Sequence, residues 1–505
     1  MGIAIAISAI NKGLVIMKFR SLLIAATLLG LLVLKPVAAV NIPDTPAGEY
    51  LKNYLDAFNS GDSLVWRDFI QQDPQASDSA SVFQRRMNFF KSMYTDLGEI
   101  TVEDISRSKD FTINCLVRAS NTKGPYEWLN LIIELNPQPP HEMAGIEIRP
   151  ADNPANKELY GQMSEASLPA YVDSFVTDLA DKDEFSGAVL VAKDGKPIFA
   201  KAYGMACKRY DVFNRVDTKF NLGSMNKMFT GVAIGQLAEQ GKLSFDDPII
   251  KYVPDYPNKE VAEKVTIHQL LTHTSGMDSY WEELWQADWP QIRTVQQLVD
   301  LFADKPLLFE PGERFHYSNS GPVVLGLIIE RITGMSYYDY IRENIYKPAG
   351  MENTDCYELD RPVPNLAMGY TRRGYTPGSE DTLWRNNLYM HTAKGGPAGG
   401  GYSTVIDLLK FDIALRNHKL LSKKFTDIVT TGKVERSAEV KYAFLFGDEL
   451  VNGQRVIGHN GGAPGINGSL GIYLDSGYTV AVLANYDYAA ETVARRLRSA
   501  ITSMK

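Results

Sequence analysis

The alternation of apolar and polar positions divides the chain into stretches with different rhythms. Residues 22–34 form a nearly continuous apolar run behind the basic cluster Met17-Lys18-Phe19-Arg20. Residues 46–150 follow a second rhythm. A helix is predicted over 49–59, and Val82, Phe83, Met87, Phe90, Met93, Tyr94 and Leu97 recur at helical spacing, giving another apolar face. Four strand-like runs come next, at 99–106, 110–118, 126–136 and 143–149. They are separated by turn signals such as Asn121-Thr122-Lys123-Gly124 and Asn136-Pro137-Gln138-Pro139-Pro140. Helices followed by an antiparallel meander predict a small α+β domain over 46–150.

Residues 151–164 read as a linker, and a new unit runs over 165–505. Tyr171, Phe175, Val176 and Leu179 suit a helix. Apolar strands at 187–191 and 198–203 flank Lys193-Asp194-Gly195-Lys196, whose Asp-Gly pair is a strong hairpin signal. At the far end, strands at 470–474 and 478–484 flank Asp475-Ser476-Gly477, and a last helix covers about 489–503. An opening helix and hairpin, a helical middle, and a closing hairpin and helix make one α/β unit.

Composition narrows the class. Of 505 residues, 45% are hydrophobic and 22% charged, and the net charge is −8. No basic face for nucleic acid is implied. Residues 1–39 carry Lys12, Lys18, Arg20 and Lys35, no acidic residue, and Val37-Ala38-Ala39 at the end. This is the pattern of a secretory signal peptide, and Met17 is a second candidate start. The competing reading is a membrane anchor, but the apolar run is shorter than the ~20 residues a span needs. The expected location is the bacterial periplasm or the extracellular space. Three cysteines, Cys115, Cys207 and Cys356, are too few for a disulfide-stapled fold. No metal-ligand cluster, P-loop or dinucleotide fingerprint is present, so no cofactor is expected.

Candidate chemistry begins at Ser224-Met225-Asn226-Lys227, at the start of a helix predicted over 225–239 with Gly241 at its C-terminal end. Lys227 lies one turn from Ser224 on the same face. A serine hydroxyl needs a base within hydrogen-bond reach, and lysine serves as one only if its pKa falls. Alone the pattern is weak, because Ser106-Arg107-Ser108-Lys109 matches it without a helix. A second element is Tyr317-Ser318-Asn319. A tyrosine shares proton transfer if a nearby cation lowers its pKa, and an asparagine amide orients a substrate. The third is His459-Asn460-Gly461 with Gly462, where glycines permit close approach of backbone and a free N–H. His459 is read as a contact for a substrate carboxylate or an aid to proton transfer.

The order Ser-x-x-Lys, Tyr-x-Asn, His-x-Gly resembles the serine β-lactamase and penicillin-binding-protein superfamily, in its class C-like branch. Leu270-Leu271-Thr272-His273-Thr274-Ser275-Gly276 and the glycine-rich residues 397–404 before Asp407 resemble further segments of that family. The resemblance covers about 165–505. It implies an α/β class C β-lactamase-like fold: an antiparallel sheet flanked by helices plus a mostly helical region. It implies an acyl-enzyme on Ser224, proton transfers shared by Lys227 and Tyr317, substrate positioning by Asn319, and an oxyanion site at the backbone of Ser224 and Gly462 beside Gly461. His459 stands where β-lactamases usually have lysine, which turns the expected substrate towards esters or D-amino-acid peptides. β-Lactam or DD-carboxypeptidase activity, and a catalytically silent ligand-binding homologue, are the alternatives. His273 is expected to brace its turn. Tyr280, Trp281, Trp285 and Trp289 are read either as a cleft wall or as a packed loop. The 46–150 domain loosely resembles NTF2-like modules. The implied partner is a small-molecule or peptide substrate, with no nucleic acid and no stable membrane span after cleavage. The oligomeric state is left open.

Overall fold

A computed structural model describes residues 40–504 apart from 78–79, 122–126, 288–290, 374–379 and 437–438. The signal-like segment 1–39 and Trp289 therefore lie outside the described residues, as does most of the 121–124 turn. Among the described residues no helix is long and apolar enough to cross a membrane.

The first structured region starts with helices α1 (Pro46–Asn59), α2 (Ser63–Gln71) and α3 (Ala80–Leu97). The first two are capped from the sequence: Thr45 Oγ1 accepts from the Gly48 amide, and Asp62 Oδ1 from that of Leu64. Four antiparallel strands follow in sequential order: β1 (Ile100–Lys109), β2 (Thr112–Ala119), β3 (Trp128–Leu135) and β4 (Met143–Pro150). Period-two alternation puts Ile113, Cys115 and Val117 of β2 and Leu129, Leu131 and Ile133 of β3 on one face. There they meet Tyr54, Phe58, Trp66 and Phe90 from the helices, forming a core separate from the others in the chain.

The 151–164 stretch is more ordered than its Pro- and Asn-rich composition suggests. Residues Asn156–Gly161 form a short helix. Tyr160 and Met163 are buried with Leu168, so these apolar side chains dock the connection onto the next unit.

That unit is built on a sheet of eight described strands. Its members are β5 (Gly187–Lys193), β6 (Lys196–Tyr203), β9 (Val434–Glu435), β10 (Val440–Tyr442), β11 (Gly447–Val451), β12 (Gln454–Ala463), β13 (Ile466–Tyr473) and β14 (Tyr478–Ala484); a separate two-residue pair is formed by β7 (Phe220–Asn221) and β8 (Tyr402–Ser403). The large sheet runs β9-β10-β11-β12-β13-β14-β5-β6, so the N-terminal hairpin docks on the C-terminal one, with Gly187 opposite Ala484. Strands β5 and β14 are apolar on both faces. Ala188, Leu190, Ala192, Ala481 and Leu483 enter a front core, and Val189, Val191, Val480 and Val482 a back one. Helices α4 (Leu168–Asp181) and α7 (Ala489–Ser503) cover the back. The front holds the helical region, with α5 (Asn226–Glu239) and α6 (Ser320–Thr333) at its centre. Helix α5 is buried on every side from Asn226 to Leu237, as a helix enclosed by the front core must be. The architecture is the expected α/β one: an antiparallel sheet flanked by helices, with a mostly helical region on one face.

Because Leu190 is fully buried on a central strand, Leu190→Ala is expected to cost about 3 kcal/mol. A lowered denaturant midpoint at unchanged slope measures that loss.

Candidate active site

Strand β7 pairs with β8, with Asn221 opposite Tyr402, and leads into a single 3-10 turn, Gly223–Met225, before α5. Ser224 is half-buried at this corner. The corner is pressed against the end of β12. A Cβ on Gly461 would stand 2.0 Å from the Leu222 carbonyl oxygen and 2.9 Å from the Ser224 nitrogen. Gly223 has φ +50°, and a Cβ there would stand 2.9 Å from the Gly462 nitrogen. Only glycines allow the two backbone segments to meet, and their meeting brings the amides of Ser224 and Gly462 together.

One turn into α5, Lys227 is completely buried. Its Nζ lies 3.0 Å from Ser224 Oγ, 2.7 Å from Asn319 Oδ1 and 2.6 Å from the Ala398 carbonyl oxygen. No carboxylate pairs with it among the described residues. Burial drives its pKa well below the ordinary lysine value. A neutral amine has two N–H bonds and one lone pair. The Asn319 and Ala398 oxygens can only accept, so they use both hydrogens. In that form the lone pair is left for the Ser224 hydroxyl, whereas in the charged form Nζ donates to Oγ. The amine is thus fully satisfied as a free base.

Tyr317 and Asn319 immediately precede α6. The Ser318 and Ser320 hydroxyls both donate to the Asp278 carbonyl, and the Asn319 amide donates to Ser279 Oγ, which ties this corner down. With Oδ1 occupied by Lys227, the Asn319 Nδ2 has no hydrogen-bond partner among the described residues. Lys227 Nζ lies 4.9 Å from the Tyr317 ring centroid. The sequence reading expected a cation to lower the Tyr317 pKa. Instead burial raises it above the ordinary range, with a Ser224 hydrogen bond and the Arg436 charge opposing. Burial therefore favours the protonated phenol at Tyr317 and the free-base amine at Lys227.

His459, on β12, has both ring nitrogens engaged, which differs from a residue free to meet a substrate carboxylate. A directed chain of hydrogen bonds fixes the tautomers. The Ser318 N–H donates to His273 Nδ1 at 3.3 Å, so His273 carries its hydrogen on Nε2 and donates to Tyr442 Oη at 3.1 Å. The Tyr442 hydroxyl then donates to His459 Nε2 at 2.9 Å, and His459 Nδ1–H donates to the Asn460 carbonyl. Burial is the main cause that drives the His459 pKa down to about 3, and His273 is also driven well below its ordinary value. Both imidazoles are neutral.

The structure thus gathers Ser224, Lys227, Tyr317, Asn319, His459, Gly461 and Gly462 at one place. Ser106 stands apart on β1, hydrogen-bonded to the Asn114 carbonyl. Tyr280 is buried and stacks on Phe302, whereas Trp281 is half-exposed; the Trp285 side chain lies outside the described residues. Sequence reasoning missed Tyr442, which no motif marks, and the part played by His273 beyond its turn. Its left-handed φ of +56° at a non-glycine position was not readable either. No cluster of His, Cys, Asp and Glu among the described residues could hold a metal ion.

Comparison with known proteins agrees with this fold. Residues 172–502 match the family profile described as Beta-lactamase. The chain is 31% identical over 339 residues to penicillin-binding protein 4* of Bacillus subtilis, covering 64% of this chain and 72% of that one. It is similar to the crystal structure of a penicillin-binding protein from Bacillus halodurans, with TM-score 0.58, 32% identity, and coverage of 64% and 98%. It is also similar to a D-stereospecific amidohydrolase from Streptomyces sp., with TM-score 0.55, 27% identity, and coverage of 66% and 98%. Residues 46–150 fall outside the family match.

Gly461→Ala tests the backbone contact. The added Cβ forces β12 away from the Ser224 corner, and misplacement by ~1 Å lowers turnover about a hundredfold. Steady-state kinetics on any accepted substrate, beside a melting curve to show that the variant folds, provides the check.

Proposed function

The chain belongs to the β-lactamase family, whose members are serine hydrolases, and on that footing we propose that it is an exported hydrolase of ester or D-amino-acid amide bonds acting through an acyl-enzyme on Ser224. The observation that carries this reading is the fully buried Lys227, with no carboxylate partner among the described residues and its Nζ 3.0 Å from Ser224 Oγ. Export rests on the pattern of residues 1–39.

In the proposed cycle, Ser224 Oγ–H gives its proton to Lys227 Nζ as Oγ attacks the substrate carbonyl carbon. Negative charge on the carbonyl oxygen is met by the amides of Ser224 and Gly462. Asn319 Nδ2 orients the acyl portion. Tyr317 Oη gives its proton to the departing alcohol or amine and regains one from the Lys227 ammonium. Water then releases the acyl group by the same route in reverse. The likeness to a D-stereospecific amidohydrolase supports amide substrates of D configuration. β-Lactam turnover is the weaker reading, because neutral His459 supplies no fixed positive charge at the third motif.

A fluorophosphonate probe is expected to label the wild type and to leave Ser224→Ala unlabelled; equal labelling of both removes Ser224 from the mechanism. The pH profile gives a second check. Activity requires Lys227 as the free base, so kcat/KM rises with pH through its depressed pKa, below the ordinary lysine range. It then stays level until Tyr317 ionises, above the ordinary tyrosine range. Lys227→Arg, protonated at every accessible pH, is expected to lose at least about a thousandfold in kcat/KM.

A further inference from the structure

The site so far contains no charge able to hold an anion. Burial pushes Lys227, His273 and His459 towards their uncharged forms and holds the protons on Tyr317 and Tyr442. One cation nevertheless reaches these groups. Arg436 directly follows β9, in the hairpin whose other strand, β10, ends at Tyr442. Its guanidinium lies over the Phe315 ring, 4.9 Å from the centroid. That ring packs edge-on against Tyr442 at 5.6 Å and His273 at 5.8 Å, and it precedes Tyr317 by two residues. Arg436 is therefore two aromatic layers away from the phenol beside Ser224, through Phe315 and then His273, whose ring centroid lies 4.3 Å from that of Tyr317. Its side chain is 37% exposed, so a ligand can reach it.

Its only ion-pair partner among the described residues is weak. Glu147, on β4 of the small domain, approaches Arg436 to 4.0 Å, the outer limit of an ion pair. Both carboxylate oxygens of Glu147 are already held by Arg149, at 2.5 and 2.7 Å. Arg436 is left with most of its charge uncompensated, while its hairpin neighbours Lys441 and Glu435 neutralise each other at 3.2 Å. A long, exposed pair of this kind contributes little and is readily exchanged for a better one. A guanidinium offers a planar fork of donors that fits a carboxylate in bidentate fashion.

We propose that Arg436 is the anion-recognising residue at the mouth of this site, taking a carboxylate carried by the substrate, and that Glu147 of the small domain competes with that carboxylate. The proposal rests on the hydrolase reading given above. It gives residues 46–150 a part in selection: the small domain supplies the anion a substrate must displace.

The test uses the full chain and two sets of p-nitrophenyl esters with the same leaving group. One set carries neutral acyl chains (butyrate, valerate). The other ends in a carboxylate (succinate, glutarate and adipate monoesters), spanning three lengths. For the best-accepted length, the ratio of kcat/KM between charged and neutral ester is expected to fall about tenfold in Arg436→Ala, and further in Arg436→Glu. Added salt should shrink the wild-type ratio, since an exposed charge is screened within ~10 Å at 0.1 M. Glu147→Gln should raise the ratio. If Arg436→Ala changes both sets by the same factor, or changes neither, Arg436 does not recognise the anion. An unmoved ratio in Glu147→Gln removes the small domain from selection. Failure of the hydrolase reading is distinguishable, because the wild type would then hydrolyse neither set and Ser224 would not be labelled.

Discussion

The burial of one amine without a counter-ion is the constraint around which this molecule is arranged. An ammonium at Lys227 would need a carboxylate, because an unpaired buried charge costs several kcal/mol. Among the described residues none is provided, and burial beside two carbonyl acceptors and one hydroxyl pushes the residue towards its free base. Keeping those acceptors in place shapes the surroundings. Three successive carbonyls of the glycine-rich loop are gripped by side chains of one helix. Asn226 Nδ2 donates to Gly396 at 3.3 Å, Thr230 Oγ1 to Pro397 at 2.8 Å, and Lys227 Nζ to Ala398. The arrangement has a thermodynamic cost. Unfolded chain binds a proton at Lys227 over the interval between the depressed folded pKa and the ordinary value, so folding stability rises with pH there.

The sheet and the helices maintain that burial. Helix α5 can be enclosed on all sides only because the front core is continuous from Leu190 and Leu483 of the sheet to Val323 and Ile328 of α6. The last strands serve two ends at once. The β12 segment from His459 to Gly462 is both a sheet member, paired with residues 467–470 of β13, and one wall of the Ser224 corner. Precision at the corner therefore comes from ladder register, and glycine lets the register be read at backbone distance.

Much of this was legible in the sequence because its signals are local. Helical spacing announced α5 and α7, Asp194-Gly195 announced the β5–β6 hairpin, and the three short motifs stood in an order that chance rarely gives. What could not be read depends on contacts far apart along the chain. Tyr442 touches His273 across 169 residues and His459 across 17, with no motif around it. The direction of the Tyr317 shift depends on burial, which no local pattern encodes. Tyr160 and Met163 sit in a stretch whose Pro and Asn content argued for a linker, and their partners lie in the back core.

The hairpin of β9 and β10 has a different kind of consequence. It is the outermost pair of the large sheet, bonded to the rest through β11 alone. Its base places Tyr442 beneath the site and its turn carries Arg436. An edge can lengthen, shorten or be exchanged without shifting the register of the strands behind it. The freedom stops at Tyr442: its hydroxyl ties the edge hairpin to His273 and His459, so the turn can vary while the base of the hairpin stays bound to the site.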